Sequence, residues 1–297
     1  MTKEQISKDP ELCGTFDLEE LHRILLEMLI EFDRVCKKYE IQYSLFAGSA
    51  LGAVRHRGFI PWDDDLDILM MRDDYERFLE KGAAELAPGC FLQKEFSEHW
   101  PMFFSKLRKN GTAYMEKMHL KDRYQHQGIY IDIFPCDNLS DNRIKRKLQY
   151  YLSKAVIASS LGKRGYLTDS MLKKILTVLC RAIPRKAAQR FVIDRKENQS
   201  EYVHTFFGAS SKYDKSIYKR EYITELTEMP FCGINCPVYT HYDEVLTILY
   251  GDYMTLPSED ERACKSHALL VDFDNSYENY IDWQNSQKID TYTRSIR

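Results

Sequence analysis

The sequence has no apolar run approaching the roughly 20 residues that a membrane-spanning helix needs. Its N-terminal stretch lacks the basic start, apolar middle and small-residue cleavage site of a secretory signal. These two absences predict a cytoplasmic protein, and leave peripheral attachment at the inner face of a membrane open, because that needs only a surface patch. Charge of one sign is missing as well: 42 Lys+Arg against 45 Asp+Glu leave a net of -3, which excludes a general attraction for long nucleic acid. The eight cysteines are scattered, with no compact framework, as expected of reduced thiols. Internal repeats and low-complexity segments are absent too.

What is present is 297 residues with 44% apolar composition, enough for one large domain or two modest ones. "FDLEELHRILLEMLIEFDRVCKKYE" sets Asp17 and Glu20 at capping-box spacing and repeats apolar residues at Leu18, Leu21, Leu25, Met28, Phe32 and Val35, which predicts an amphipathic helix. A short strand ending near Phe46, a Gly48-Ser49 turn, a short helix carrying Arg55 and then a strand headed by aspartates follow. "CFLQKEF", "MFFSKLRKNGTAYM" and "GIYIDIFPCD" read as three further strands. From "SDNRIKRKLQYYLSKAVIASSLG" through "DSMLKKILTVLCRAIPRKAAQRFVI" the pattern is helix upon helix, then "KSIYKREYI…MPFCGINCPVY" shows short β-like pieces before a short helix stopped by Gly251. The expected class is α/β (α+β): a mixed-sheet core with flanking helices over residues 1–138, and a mainly helical region over 139–297 that packs on the core and completes the active site.

"IPWDDDLDILMM" carries the chemistry. In a strand Asp65 and Asp67 share one face while Leu66 and Ile68 turn inward. Two carboxylates on one face repel unless a cation intervenes, and hard oxygen donors suit Mg²⁺ or Mn²⁺. Asp64 falls on the opposite face as a bystander. Asp63 shares the parity of Asp65 but follows Pro61, so it serves either a second ion or the turn. Ahead of these acids, Gly48 and Ser49 stand at a strand-to-helix junction that can hold a phosphate. Asp132 interrupts an apolar strand, which is costly unless the acid is paired or bound to metal. Three carboxylates from two strands after a Gly-Ser turn are the parts of a nucleotidyltransferase fold.

"FAGSALGAVRHRGFIPWDDDLDI", "SKLRKNGTAYM", "GIYIDIFPCD" and "LYGDYMTLPSEDERACKSH" resemble the LicD family of phosphorylcholine transferases, whose relatives include fukutin and fukutin-related protein. The resemblance runs from about residue 20 to 270. It implies a transferase that moves a phospho-alcohol from a CDP-activated donor to a glycan or glycolipid hydroxyl, with a divalent metal. It also implies that Asp65, Asp67 and Asp132 are catalytic and bind the metal, with Asp63 as a further ligand. Asp137 competes with Asp132 for the third acid. Arg55 is the best-placed cation for the diphosphate, ahead of Arg57. Lys106 and Arg108 share a strand face that points either to the phosphates or to solvent. His267 closes a family-like stretch beside Arg262.

Other readings remain at this level. The same fold supports transfer of a nucleotidyl group, and Asp-x-Asp also occurs in glycosyltransferases, which normally show a longer βαβ region first. Cys232, Cys236, Cys264 and His267 offer a four-ligand zinc set at spacings that fit a compact finger poorly. The 20 tyrosines include candidates for an aromatic cage around a quaternary ammonium, with Tyr130 among them.

Overall fold

Helix α1 (Leu18–Lys38) starts at the predicted cap, where the Asp17 carboxylate accepts the N–H groups of Glu19 and Glu20. The reciprocal half of a capping box is missing, because the Glu20 carboxylate turns to Arg23 instead. This computed structural model describes residues 16–116, 125–163, 179–180, 182–193, 200–207, 212–262 and 268–282. After α1 come β1 (Ser44–Leu45), α2 (Ala47–His56), β2 (Asp67–Met71), α3 (Arg72–Glu80), β3 (Cys90–Gln93), β4 (Ser105–Lys109), β5 (Ala113–Glu116) and β6 (Tyr130–Asn138). The chain continues with α4 (Arg143–Lys163), α5 (Arg185–Val192), β7 (Tyr202–His204), β8 (Ile217–Lys219) and α6 (Arg220–Thr224). Then follow β9 (Leu226–Phe231), β10 (Ile234–Tyr239), α7 (Tyr242–Tyr250), α8 (Glu259–Arg262) and β11 (Ala268–Asp272).

The expected mixed sheet forms, in the order β1-β2-β6-β4-β3, with β7 on the far part of β6 and β8 on β7. Strands β2 and β6 run parallel, whereas β1, β4 and β7 join antiparallel. The alternation in "YIDIFP" places Ile131 and Ile133 in the core. The same cluster takes in Ile68 and Leu69 of β2 and the buried stripe of α1, including Leu25, Phe32 and Val35. Each such side chain contributes about 1.5–3 kcal/mol by leaving water.

The region after residue 138 carries the expected helices, α4 to α8, with short strands between them. Among its described residues, β7 and β8 extend the first sheet, β9 and β10 make a hairpin, and β11 pairs with β5. Short strands such as "YVH" carry no readable period of their own and are recruited by the edge they meet. One apolar cluster unites Val203, Tyr218, Phe231 and Val238 with the N-terminal core. Helices α4 and α5 do pack together, around Phe103, Val156, Ile157, Ala188 and Val192. Among the described residues no helix is long and apolar enough to cross a membrane.

The junction before the acids is tightly built. Ala47, the first residue of α2, has φ 45, a left-handed conformation that costs an L-residue about 1 kcal/mol or more. It lets the chain reverse at once from β1 into α2, while the Phe46 N–H donates to the Asp67 carbonyl at 2.9 Å. A Cβ on Gly52 would lie 2.4 Å from the Gly58 carbonyl oxygen, so only glycine permits this approach of α2 to the loop that leads to the aspartates.

Candidate active site

The sheet brings Asp67, Asp132 and Lys106 into one row. Asp67 on β2 is in register with Asp132 on β6, and Asp132 with Lys106 on β4. Residues paired in register present their side chains on the same face. Lys106 Nζ lies 2.8 Å from Asp132 Oδ1 and 3.5 Å from Glu116 Oε1. The same ammonium sits 3.2 Å from the centroid of Tyr130, 5.4 Å from Trp100 and 5.8 Å from Phe104. Tyr130 is therefore part of an aromatic box, and the cation in that box is the chain's own lysine. Burial pushes the Lys106 ammonium down to about 8, against the pull of Asp132.

The aspartate run differs from its reading as a strand. The ladder begins only at Asp67, and residues 63–66 precede it outside any helix or strand. Leu66 and Ile68 are fully buried, as the alternation requires. Asp64 is not a bystander: it is buried, Tyr114 Oη donates to its Oδ2 at 2.6 Å, and carboxylate oxygens of Asp63, Asp64 and Asp65 lie within 4.8 Å of one another. Parity fails here because these residues precede the hydrogen-bonded strand. His22 Nε2 lies 2.8 Å from the Asp63 carbonyl oxygen while its ring stacks on Phe59. Burial raises the Asp67 carboxyl well above the usual range, and the charges of Asp65, Asp132 and Asp63 raise it further, with Lys106 opposing. This is an all-oxygen donor set that is unfavourable without a cation, and it fits a hard divalent ion.

The remaining predicted residues divide. Gly48 lies in the first turn of α2, and its open side receives Asp63, whose Oδ2 would be 2.6 Å from an added Cβ. Ser49 is buried, and its Oγ accepts the Asp67 N–H at 2.8 Å. The serine expected to hold a phosphate thus locks the neighbouring acid to the helix. Arg55 Nη1 donates to the Tyr253 carbonyl at 2.5 Å, whereas Arg57 is exposed and caps α2 in a left-handed conformation. Arg108 is buried, not on a solvated edge, and donates to Gln93 Oε1 and to the Gly128 carbonyl. Asp137 is held by Arg72 at 2.6 and 2.8 Å and lies five residues along β6 from Asp132, hence on the other face. His267 and Cys264 lie outside the described residues, and with them half of the zinc set.

Sequence reasoning passed over Glu116, Tyr114, His22 and Tyr250. Tyr250 closes α7 and is 45% exposed. Desolvation raises the pKa of its phenol, and the carboxylates of Asp67, Asp63 and Asp65 raise it further. The Arg262 guanidinium lies 5.6 Å from the ring of Trp62, the residue before Asp63. No local pattern marks these residues, since each arrives from a distant element.

The sequence profile described as "LicD/FKTN/FKRP, nucleotidyltransferase domain" matches residues 40–161, the stretch that holds β2, β4, β6 and every acid of the site. The chain is also similar to "Lipopolysaccharide cholinephosphotransferase LicD" of Haemophilus influenzae, 29% identical over 260 residues that cover 82% of this chain and 94% of that protein. Shorter likenesses join it to uncharacterized proteins of Rickettsia typhi, 43% identical over 54 residues and 18% of each chain, and of Rickettsia prowazekii, 44% identical over 50 residues, 17% of this chain and 19% of that protein. The profile match over residues 40–161 and the near full-length relative agree with the geometry, and together they support membership of the LicD family.

Proposed function

We propose that the chain is a phosphotransferase that moves phosphocholine, or a related phospho-alcohol, from a CDP-activated donor to a hydroxyl of a glycan or glycolipid. The observation that carries this reading is the row Asp67, Asp132 and Lys106 beside the clustered carboxylates of Asp63, Asp64 and Asp65. The printed name of the Haemophilus relative, a cholinephosphotransferase of lipopolysaccharide, supports the phospho-alcohol and the glycan acceptor. The same reading sets the reaction in the cytoplasm, where CDP-activated donors are made.

Asp63, Asp65 and Asp67 would hold Mg²⁺ or Mn²⁺, with Asp132 adjoining, and the ion would neutralise diphosphate charge. In the transfer the acceptor oxygen bonds to phosphorus, the bond to the CMP oxygen breaks, and CMP leaves with the electron pair. A carboxylate oxygen of Asp132 takes the hydroxyl proton, and the Lys106 ammonium holds that carboxylate in place. Arg55 and Arg262 would serve as donors for the departing phosphate.

The test is CMP release from CDP-choline, CDP-ethanolamine, CDP-ribitol and CDP-glycerol with Mg²⁺, in the presence of a glycan acceptor. CMP with a modified acceptor is expected. Pyrophosphate released from a nucleoside triphosphate would instead establish nucleotidyl transfer, the second reading, which the description of the matching domain favours. Absence of both would overturn the assignment.

A further inference from the structure

Helix α4 has two opposite faces. Gln149, Ser153, Val156, Ile157 and Ser160 are buried, the isoleucine and valine against Phe103. On the other side Ile144 is 80% exposed, Leu148 45% and Tyr151 63%. At about 100° per residue these three fall within an arc of about 60°, centred opposite the buried face. They form an apolar stripe on an outward surface, and exposed Arg143 and Lys147 flank it on one side with exposed Lys145 on the other. The helix sequence "RIKRKLQYYLSKAVIASSLGK" carries six basic residues and no acidic one, in a protein whose net charge is -3.

We propose that this face of α4 docks on an anionic lipid bilayer. A stripe of Ile, Leu and Tyr between basic residues is the composition of a helix that lies in a membrane interface, with apolar side chains below the headgroups and ammonium and guanidinium groups among lipid phosphates. Six basic residues with no acidic one along a single helix, in a protein of net charge -3, select a negative surface. It also disfavours a second copy of the chain, because a two-fold contact through this stripe would set the basic flanks of both copies against each other. The buried face links the stripe to the site: Val156 and Ile157 pack on Phe103, whose neighbour Phe104 lines the box around Lys106. Docking through α4 would hold the acid row near a membrane surface. This surface goes beyond the proposed reaction and does not depend on it.

The experiment is flotation of the full chain with vesicles of phosphatidylcholine alone, or of phosphatidylcholine and phosphatidylglycerol in equal parts. The chain is expected to float with the anionic vesicles, and to be released by high salt. The triple variant Ile144→Ser/Leu148→Ser/Tyr151→Ser keeps the charges and should lower partitioning by about a hundredfold. Its circular dichroism and melting temperature should stay at the wild-type values, since all three side chains are exposed. Failure of the wild-type chain to float with anionic vesicles overturns the proposal, as does equal binding of the triple variant. A wild-type dimer in sedimentation velocity that the triple variant converts to monomer would assign the stripe to self-association instead. Pure lipid vesicles contain no acceptor, so each result is independent of transferase activity.

Discussion

Asp67 and Asp132 face each other in register on the parallel strands β2 and β6, so two carboxylates share one face of a sheet whose other face is core. Their mutual repulsion, added to burial, raises the Asp67 carboxyl. Asp67→Asn is therefore expected to abolish transfer while raising the melting temperature in chelator by about 2–4 °C, the equivalent of roughly 1 kcal/mol in a chain of this size. Added Mg²⁺ should stabilise the wild type and leave the variant nearly unchanged. A variant that melts below wild type in chelator would show that the acids are not in conflict.

Lys106 answers that conflict on the opposite side of Asp132. Its ammonium serves both Asp132 and Glu116, so Lys106→Met keeps the stem against Tyr130 but strips two part-buried carboxylates of their cation. Removing one partner from such a site costs about 3–5 kcal/mol. Thermal melts in chelator should show this loss, and a divalent ion should restore part of it by supplying charge beside Asp132. A melting temperature within a degree of wild type in chelator would refute the role given to the lysine.

The two candidates for the third acid separate by the kind of damage they suffer. Asp132→Asn should lose turnover and keep its fold. Asp137→Asn leaves buried Arg72 with Glu95 as its remaining carboxylate partner among the contacts described, and should cost about 3 kcal/mol in denaturant unfolding while the folded fraction stays active.

Glu95 gives the same ion cluster a pH signature. One guanidinium cannot neutralise two buried acids, and burial raises the Glu95 carboxyl from 4.5 to about 7, against the pull of Arg72. Between those values the folded protein holds a proton that the unfolded chain has released. Stability contributed by that proton is complete below pH 4.5 and is lost as pH rises to about 7. Glu95→Gln should flatten the decline. Urea unfolding of both proteins across this window measures it, and parallel curves would refute the shift.

How much of this was legible depended on sequence distance. Helix α1, its Asp17 cap and strand β6 follow from local period and capping, and the cost of placing Asp132 in an apolar strand is visible without coordinates. The start of β2 was not legible, because the lead-in alternates like a strand but finds its ladder only at Asp67, opposite Asp132. Asp64 was misread for that reason, since its partner Tyr114 sits on a strand that leaves the main sheet to pair with β11. Arg108 has the alternating charge of an edge strand, yet β3 covers β4 on that side and buries it. The Lys106 box, the Arg72 pair and the approach of Tyr250 depend on distant elements converging, which no window of sequence records.

The sequence offers Asp63 either as metal ligand or as turn residue, and Gly48 decides the question. A Cβ at Gly48 would lie 2.6 Å from Asp63 Oδ2, the far end of a flexible side chain, so Gly48→Ala should displace the carboxylate rather than the backbone. The helix itself gains about 1 kcal/mol from alanine over glycine, which offsets the crowding. The variant is therefore expected to melt near the wild type in chelator and to bind Mn²⁺ about tenfold more weakly by electron paramagnetic resonance titration. Gly52→Ala is the control, because its Cβ would meet the Gly58 carbonyl oxygen at 2.4 Å and nothing there can swing aside. It should destabilise the fold by several kcal/mol, as overpacking against fixed backbone does. If Gly48→Ala holds Mn²⁺ as tightly as the wild type, Asp63 belongs to the turn, and the ion is left to Asp65, Asp67 and their neighbours across the sheet.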